Sequence, residues 1–203
     1  MIELMMDRKC QICKGPRPIQ DCLKCHEFLH DNLHAQVENV IYKNATLRIT
    51  FSSYRKVKKF IELGKYKLNK HIFDMISKFM FNQLYLPRDC FVTFVPSNFK
   101  TDQQKGYNPS YEVAKNIATK KNLPYFGLLG AKNIQTQVKL SREERVANVK
   151  NKFFLKSSIN LNSYNVCVIV DDVITTGATM MAITDLLSEQ YPHLSVIWLS
   201  IAK

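Results

Sequence analysis

Apolar and polar positions alternate from Val40 to Phe51 around Lys43-Asn44-Ala45, which predicts a β-hairpin. The period then changes. From Tyr54 to Leu63 the basic residues Arg55, Lys56, Lys58 and Lys59 surround Val57, Phe60 and Ile61, as in an amphipathic helix with a basic face. Gly64-Lys65-Tyr66-Lys67 is expected to end that helix. Helical spacing resumes from Leu68 to Leu86 through Ile72, Met75, Ile76, Phe79 and Met80, and this stripe reads as core. Phe91–Val95 and Val166–Val170 are short unbroken apolar runs, the pattern of strands buried on both faces of a parallel sheet. After each comes a polar loop and then a helix start. Asn108 is a good N-cap with Pro109 at the first helical position, opening a helix through Val113, Ala114, Ile117 and Ala118. The other helix runs from Ala178 to about Glu189. Short strands are expected at Tyr125–Leu129, after Leu123-Pro124, and at Phe153–Leu155. A last strand is expected at Ser195–Ile201, after Pro192 breaks the helix; Trp198 within it reads as core. Ser141 with Glu144 three residues on forms a capping box for a short helix.

Length and composition set the bounds. With 203 residues the chain holds one core-bearing domain and a small appendage. Gly and Pro are not in excess, so disorder is excluded. No run is long enough to span a membrane and no signal-peptide pattern opens the chain, which together predict a cytoplasmic protein without membrane insertion. A formal charge of +12 points to a polyanionic partner, nucleic acid foremost, although a basic proteome or a phosphate-rich ligand produces the same excess. Tyr54 and Tyr66 are interleaved with the basic face, which suits single-stranded nucleic acid held by phosphate contacts and base stacking. A merely solvated face has the same pattern.

The cysteines add chemistry. Cys10-Gln-Ile-Cys13 and Cys22-Leu-Lys-Cys25 are two CxxC knuckles with eight residues between them, and Gly15, Pro16 and Pro18 supply turns. A tetrahedral Zn²⁺ takes four thiolates, and each knuckle presents two. In a cytosolic protein the pattern favours structural zinc over disulfides; a redox pair or a site that has lost its metal are the alternatives. A small four-cysteine zinc-ribbon domain is thus expected over residues 1–36, with the main α/β domain over 37–203. His26, His30 and His34 follow at a spacing of four and read as a solvated or partly packed stripe. Cys90 and Cys167 read as packing residues.

The richest stretch joins Val166–Val170 to Asp171-Asp172-Val-Ile-Thr175-Thr176-Gly177-Ala178-Thr179. Backbone N–H groups of the turn and the following helix N-terminus attract an anion, and Gly177 lets the backbone come close to it. Thr175, Thr176 and Thr179 add hydroxyls. Two carboxylates suit a bare phosphate poorly but suit sugar hydroxyls or Mg²⁺, so the expected ligand is a ribose phosphate. The loop is not a Walker A motif, because no Gly-Lys-Ser/Thr follows the glycine. Phe91–Val95 followed by Pro96-Ser97-Asn98, Lys100 to Gly106 and the Asn108 helix start repeats the strand–loop–helix arrangement, a second anion site on the same sheet edge. Arg142 and Arg145 lie in the first turn of the predicted short helix, placed to clamp a pyrophosphate; surface pairing with Glu143 and Glu144 is the alternative.

The Asp-Asp-x-x-Thr-Thr-Gly-Ala-Thr stretch resembles the PRPP (5-phosphoribosyl 1-pyrophosphate) signature of type I phosphoribosyltransferases. The resemblance implies that fold. It also implies that Asp171 and Asp172 contact the ribose 2′- and 3′-hydroxyls, that Thr175, Thr176, Gly177, Ala178 and Thr179 wrap the 5′-phosphate, and that a pyrophosphate loop lies around Pro96 and Ser97. Only Val95-Pro96 matches that last element. The cysteine knuckles, Gly106-Tyr107-Asn108, Gln137-x-x-Leu-x-x-x-x-Arg145-x-x-Asn148 and the Asp-Asp loop together are similar to the ComF (ComFC) competence proteins, in order and over nearly the whole chain. Lys105-Gly106-Tyr107-Asn108-Pro109 departs from the family's Arg-Gly-Phe-Asn-Gln, and Gly64 stands before Lys65-Tyr66 where the family has a Lys-aromatic-x-Gly stretch. Membership implies a protein of natural transformation that acts in DNA uptake on incoming single-stranded DNA, alongside a competence ATPase and a recombination-mediator protein. It implies a retained PRPP/Mg²⁺ site as well. The alternatives are an active phosphoribosyltransferase of nucleobase salvage, with Gln135–Asn148 as a lid, and a nucleic-acid binder that has lost its ligand.

Overall fold

A computed structural model of the chain describes residues 9–67, 69–97, 107–132, 152–156 and 159–203. The predicted hairpin forms as β1 (Gln36–Tyr42) and β2 (Ala45–Ser52), antiparallel across the Lys43-Asn44 turn, where Lys43 takes a φ of 49°. Strand β2 does more than close a hairpin. It pairs in parallel with the last strand, which pairs with the apolar strand before the acidic pair, giving the order β1-β2-β7-β6-β3 with β3 (Cys90–Phe94), β6 (Val166–Val173) and β7 (Ser195–Ala202). Within this five-stranded sheet every pair except β1–β2 is parallel.

The unbroken apolar runs follow from two-sided burial. Along β6, Val168 and Val170 join one core with Val57, Ile61, Ile72, Ile76 and Ile117 of α2 (Tyr54–Lys67), α3 (His71–Gln83) and α4 (Pro109–Lys121). The alternate residues Cys167 and Ile169 join a second core with Met180, Ile183 and Leu187 of α5 (Ala178–Gln190). Alternation of side chains along a strand sends neighbours into opposite layers, so both parities must be apolar. Each fully buried Val, Leu or Ile contributes about 1.5–3 kcal/mol. Trp198 is core, as expected, and its indole N–H donates to Thr184 Oγ1 at 3.0 Å. Cys90 and Cys167 are buried too.

One expectation is refined and a second changes. Helix α2 ends with the Gly64-Lys65-Tyr66-Lys67 stretch as expected, but at its last residue, Lys67, so that Gly64 lies inside the helix. The glycine is there for a close approach: a Cβ on Gly64 would stand 2.5 Å from Phe73 Cε2 of α3. Its carbonyl also accepts the Tyr107 hydroxyl. The change concerns Tyr125–Leu129, which is not a strand. Tyr125 makes a single parallel bridge to Val92, and β4 (Leu129–Ala131) pairs antiparallel with β5 (Phe153–Leu155) in a separate two-stranded sheet. Pro124 has no N–H for a ladder, and its carbonyl accepts from Val92 N instead, at 2.9 Å.

The N-terminal segment packs on the first core. Helix α1 (Leu23–Asn32) buries Leu29, and Phe28 stacks on Phe60 of α2 with ring centroids 5.5 Å apart. Among the described residues no helix is long and apolar enough to cross a membrane.

Candidate functional site

Strand β6 carries its ladder past the apolar run, so Asp171 and Asp172 sit on the strand's own C-terminal end. Neighbouring β3 ends beside them, and Val95 N donates to Val170 O at 2.9 Å. The next helix is pinned to the same edge. Asn108 caps α4 by accepting from Tyr111 N at 3.1 Å, while its amide donates to Val95 O at 3.0 Å. That places Ser110, in the first turn of α4, over the acidic pair. Its Oγ donates to Asp171 Oδ1 at 3.0 Å, and Asp172 N donates to the same oxygen at 2.9 Å. Burial, reinforced by the charge of Asp172, pushes the Asp171 carboxyl up to about 7.

Asp172 is 7% exposed and pairs through Oδ2 with the ammonium of Lys65, from the last turn of α2. Among the described residues that oxygen has no further hydrogen-bond partner besides the ammonium. Desolvation is the largest single influence on the Lys65 ammonium and opposes it, but the charge and hydrogen bond of Asp172 together with the Asp171 charge hold the lysine's pKa above its ordinary value. Lys65, Pro96, Ser97, Asn108 and Ser110 enclose the two aspartates in a cleft of ≈ 130 Å³. A recess of ≈ 410 Å³ adjoins it, sharing Pro96, Ser97 and Asn108 and lined further by Phe94, Tyr111, Phe154 and Lys156.

The Thr-Thr-Gly turn leaves the same strand. Gly177 adopts a φ of +81° as the residue before α5 and offers no side chain to cap that helix. Thr175 and Thr176 are exposed, Thr176 Oγ1 accepts from Ala178 N at 3.4 Å, and Thr179 is half-buried. Pro96, Ser97, Asp171 and Asp172 therefore line one cleft, and the loop from Thr175 to Thr179 stands at the same sheet edge. Asn98, Lys105, Gly106 and the Gln135–Asn148 segment with Ser141, Arg142 and Arg145 lie outside the described residues. Sequence reasoning misses Lys65 and Ser110. Lys65 shows there only as a displaced Lys-aromatic pair beside Gly64, and Ser110 only as the residue after an N-cap and a proline.

In the N-terminal segment the two CxxC knuckles converge. Cys10 N donates to Gly15 O and Lys14 N to Cys10 O, both at 2.9 Å, closing the first knuckle, with Lys14 at a φ of 62°. The second is the start of α1, where Cys25 N and His26 N donate to Cys22 O at 3.0 Å. Cys10 and Cys25 sulfurs lie 3.4 Å apart, those of Cys13 and Cys22 3.3 Å, and all four lie within 4.8 Å of one another. Four sulfurs about 2.3 Å from a tetrahedral Zn²⁺ would stand about 3.8 Å apart, so the cluster fits a metal such as zinc. Burial pushes the Cys22 and Cys25 thiols up, a penalty that a bound cation offsets. His26 and His30 pack edge-on against Phe79 rather than joining the cluster.

Residues 79–202 match the family described as "Phosphoribosyl transferase domain". The chain is 33% identical over 108 residues to "Competence protein F" of Haemophilus influenzae, a match covering 52% of this chain and 46% of that protein, so it spans about half the length of the curated relative. A solved adenine phosphoribosyl transferase of Trypanosoma brucei, in complex with AMP, pyrophosphate and ribose-5-phosphate, aligns at 16% identity with a TM-score of 0.38, covering 83% of this chain and 87% of that one. The likeness to ComF proteins and to the phosphoribosyltransferase fold read from the sequence is borne out by the family and competence-protein matches.

Proposed function

This chain belongs to the phosphoribosyl transferase domain family, and from that premise we propose a DNA-handling protein of natural transformation that keeps a PRPP/Mg²⁺ site. It acts in the cytoplasm on incoming single-stranded DNA, with a competence ATPase and a recombination-mediator protein as partners. The observation that carries the ligand half is the single cleft at the ends of β3 and β6, where Asp171, Asp172 and Ser97 meet. There the two carboxylates accept hydrogen bonds from the ribose 2′- and 3′-hydroxyls. Thr175, Thr176, Gly177, Ala178 and Thr179 hold the 5′-phosphate on the N-terminus of α5. Pro96 and Ser97 flank the pyrophosphate, and Arg142 and Arg145 carry guanidinium charge suited to it. Mg²⁺ enters with the pyrophosphate and neutralises part of its charge.

Cys10, Cys13, Cys22 and Cys25 hold a structural Zn²⁺, which ties the N-terminal loop to the start of α1. The nucleic-acid half rests on α2. Arg55, Lys56, Lys58 and Lys59 are exposed while Val57, Phe60 and Ile61 are buried. Beside them a groove of ≈ 620 Å³ runs between the first knuckle and α2, lined by Gln11, Ile12, Lys59, Glu62, Leu63 and Tyr66. Lysines follow the phosphates there and the exposed Tyr66 ring stacks a base.

A second reading, transfer of the phosphoribosyl group to a planar acceptor, is favoured by the recess against the cleft with Phe94, Tyr111 and Phe154 on its walls. Titration calorimetry of PRPP with Mg²⁺ into the wild type and into Asp171→Asn/Asp172→Asn tests the ligand site. Binding in the wild type that is lost in the double variant supports it, and no binding in the wild type overturns it. Release of pyrophosphate with an added base would favour the second reading.

A further inference from the structure

We propose that Lys65 determines what the aspartate pair binds: as the counter-charge on Asp172 it bars a divalent cation from the bare carboxylates and leaves them to neutral sugar hydroxyls. The proposal rests on the sugar-phosphate reading above for the identity of the bound hydroxyls. Its own footing is the ion pair between Lys65 Nζ and Oδ2 of the buried Asp172.

Lys65 is not a wandering surface lysine. It sits in the last turn of α2, and the residue before it, Gly64, is fixed through its carbonyl by the Tyr107 hydroxyl. Tyr107 in turn packs edge-on against Phe73, the ring that fills the space over Gly64, with centroids 6.2 Å apart. The ammonium is thus delivered to Asp172 from a helical turn anchored at Gly64, with its side chain 23% exposed.

Charge balance points the same way. A divalent ion takes several oxygen ligands at about 2.0–2.6 Å and favours anionic ones. On this pair it would meet a lysine already on one carboxylate, and an oxygen of the other already accepting from Ser110 and the Asp172 amide. Like charges a few ångströms apart in a partly buried cleft repel strongly. A sugar diol is neutral, donates to the lone pairs that remain, and coexists with the ammonium.

The test titrates MnCl₂, without any sugar phosphate, into the zinc-loaded protein and reads manganese binding by calorimetry and electron paramagnetic resonance. Lys65→Met is expected to bind manganese about tenfold or more tighter than the wild type. Lys65→Arg, which keeps the charge, should behave like the wild type, and adding Asp172→Asn to Lys65→Met should abolish the gain. Should Lys65→Met not fold, Lys65→Gln serves as the neutral variant. Equal manganese affinity in the wild type and the neutral variants overturns the proposal, as does a gain that survives Asp172→Asn. Ribose 5-phosphate is titrated in parallel. If the wild type ignores it, the sugar-phosphate reading falls on that arm alone, while the manganese comparison still decides whether Lys65 excludes a cation.

Discussion

Ser110 Oγ donates to Asp171 Oδ1 at 3.0 Å across the gap between α4 and β6, tying the first turn of that helix to the acidic pair. Burial and the neighbouring Asp172 charge raise the Asp171 carboxyl to about 7, and the Ser110 hydroxyl opposes that rise by favouring the carboxylate. Removing it in Ser110→Ala should therefore move the titration further up. A folded-state pKa above the unfolded value near 4 means the folded protein binds the extra proton between about pH 4 and pH 7. Stability from this group is present at the acid end of that window and declines as pH rises through it. Asp171→Asn should flatten that slope. Ribose hydroxyls donate to the ionised form, so ribose 5-phosphate affinity should rise with pH through neutrality, and Ser110→Ala should shift the midpoint upward. Calorimetry of both proteins at a series of pH values checks this, since the titration of the phosphate itself is common to the two. Coincident midpoints would remove Ser110 from the site.

Gly64→Ala sets two effects against each other. An alanine in a helix interior is about 1 kcal/mol better than glycine. Here the added Cβ would fall 2.5 Å from the Phe73 ring, which is fully buried and cannot swing away freely. Overpacking of this kind costs about 1–3 kcal/mol, so the net effect should be destabilising. Thermal or urea unfolding reads it directly. A stabilised Gly64→Ala would show that the α2–α3 contact relaxes easily.

That glycine also marks where the pattern of the sequence stops informing. Val166–Val170 and Phe91–Val95 are readable as buried strands because two-sided burial writes itself into consecutive apolar positions. Asn108-Pro109 is readable as a helix start because capping is local. Gly64 looks like a helix end because the partner that demands it, Phe73, comes from another helix. The insertion of β2 beside β7 is equally invisible, since strand order depends on pairings across most of the chain. The cleft divides in the same way. The acidic pair and the Pro96-Ser97 turn follow their strands in sequence, whereas Lys65 and Ser110 reach the aspartates only through tertiary packing.

Replacing one cysteine should act on both metal and fold. Cys22, the first cysteine of the second knuckle, is buried, its sulfur 3.3 Å from that of Cys13, and its carbonyl anchors the first turn of α1. Cys22→Ser should lower the zinc content of the purified protein and lower its melting temperature. Chelation of the wild type should reproduce the shift, because metal affinity and folding are linked when the ligands are assembled by the fold. Unchanged zinc and an unchanged melting curve would show that the cluster is held by packing with Ile19, Leu29 and Leu33 alone.

The basic face of α2 offers the last comparison. Lys58 and Lys59 are exposed on adjacent positions, Lys59 on the wall of the groove beside the first knuckle, and Lys58 within 3.7 Å of Glu62. That exposed pair contributes little to stability, so reversing both residues to glutamate should leave the melting temperature nearly unchanged. Single-stranded DNA affinity should fall, and the slope of log affinity against log salt should flatten by about 0.7 for each phosphate that is no longer neutralised. Fluorescence anisotropy with a labelled oligonucleotide at several salt concentrations measures both. Lower affinity with an unchanged slope would mean the lysines act through shape and not through phosphates. Unaltered affinity and slope would move the DNA path off α2 altogether.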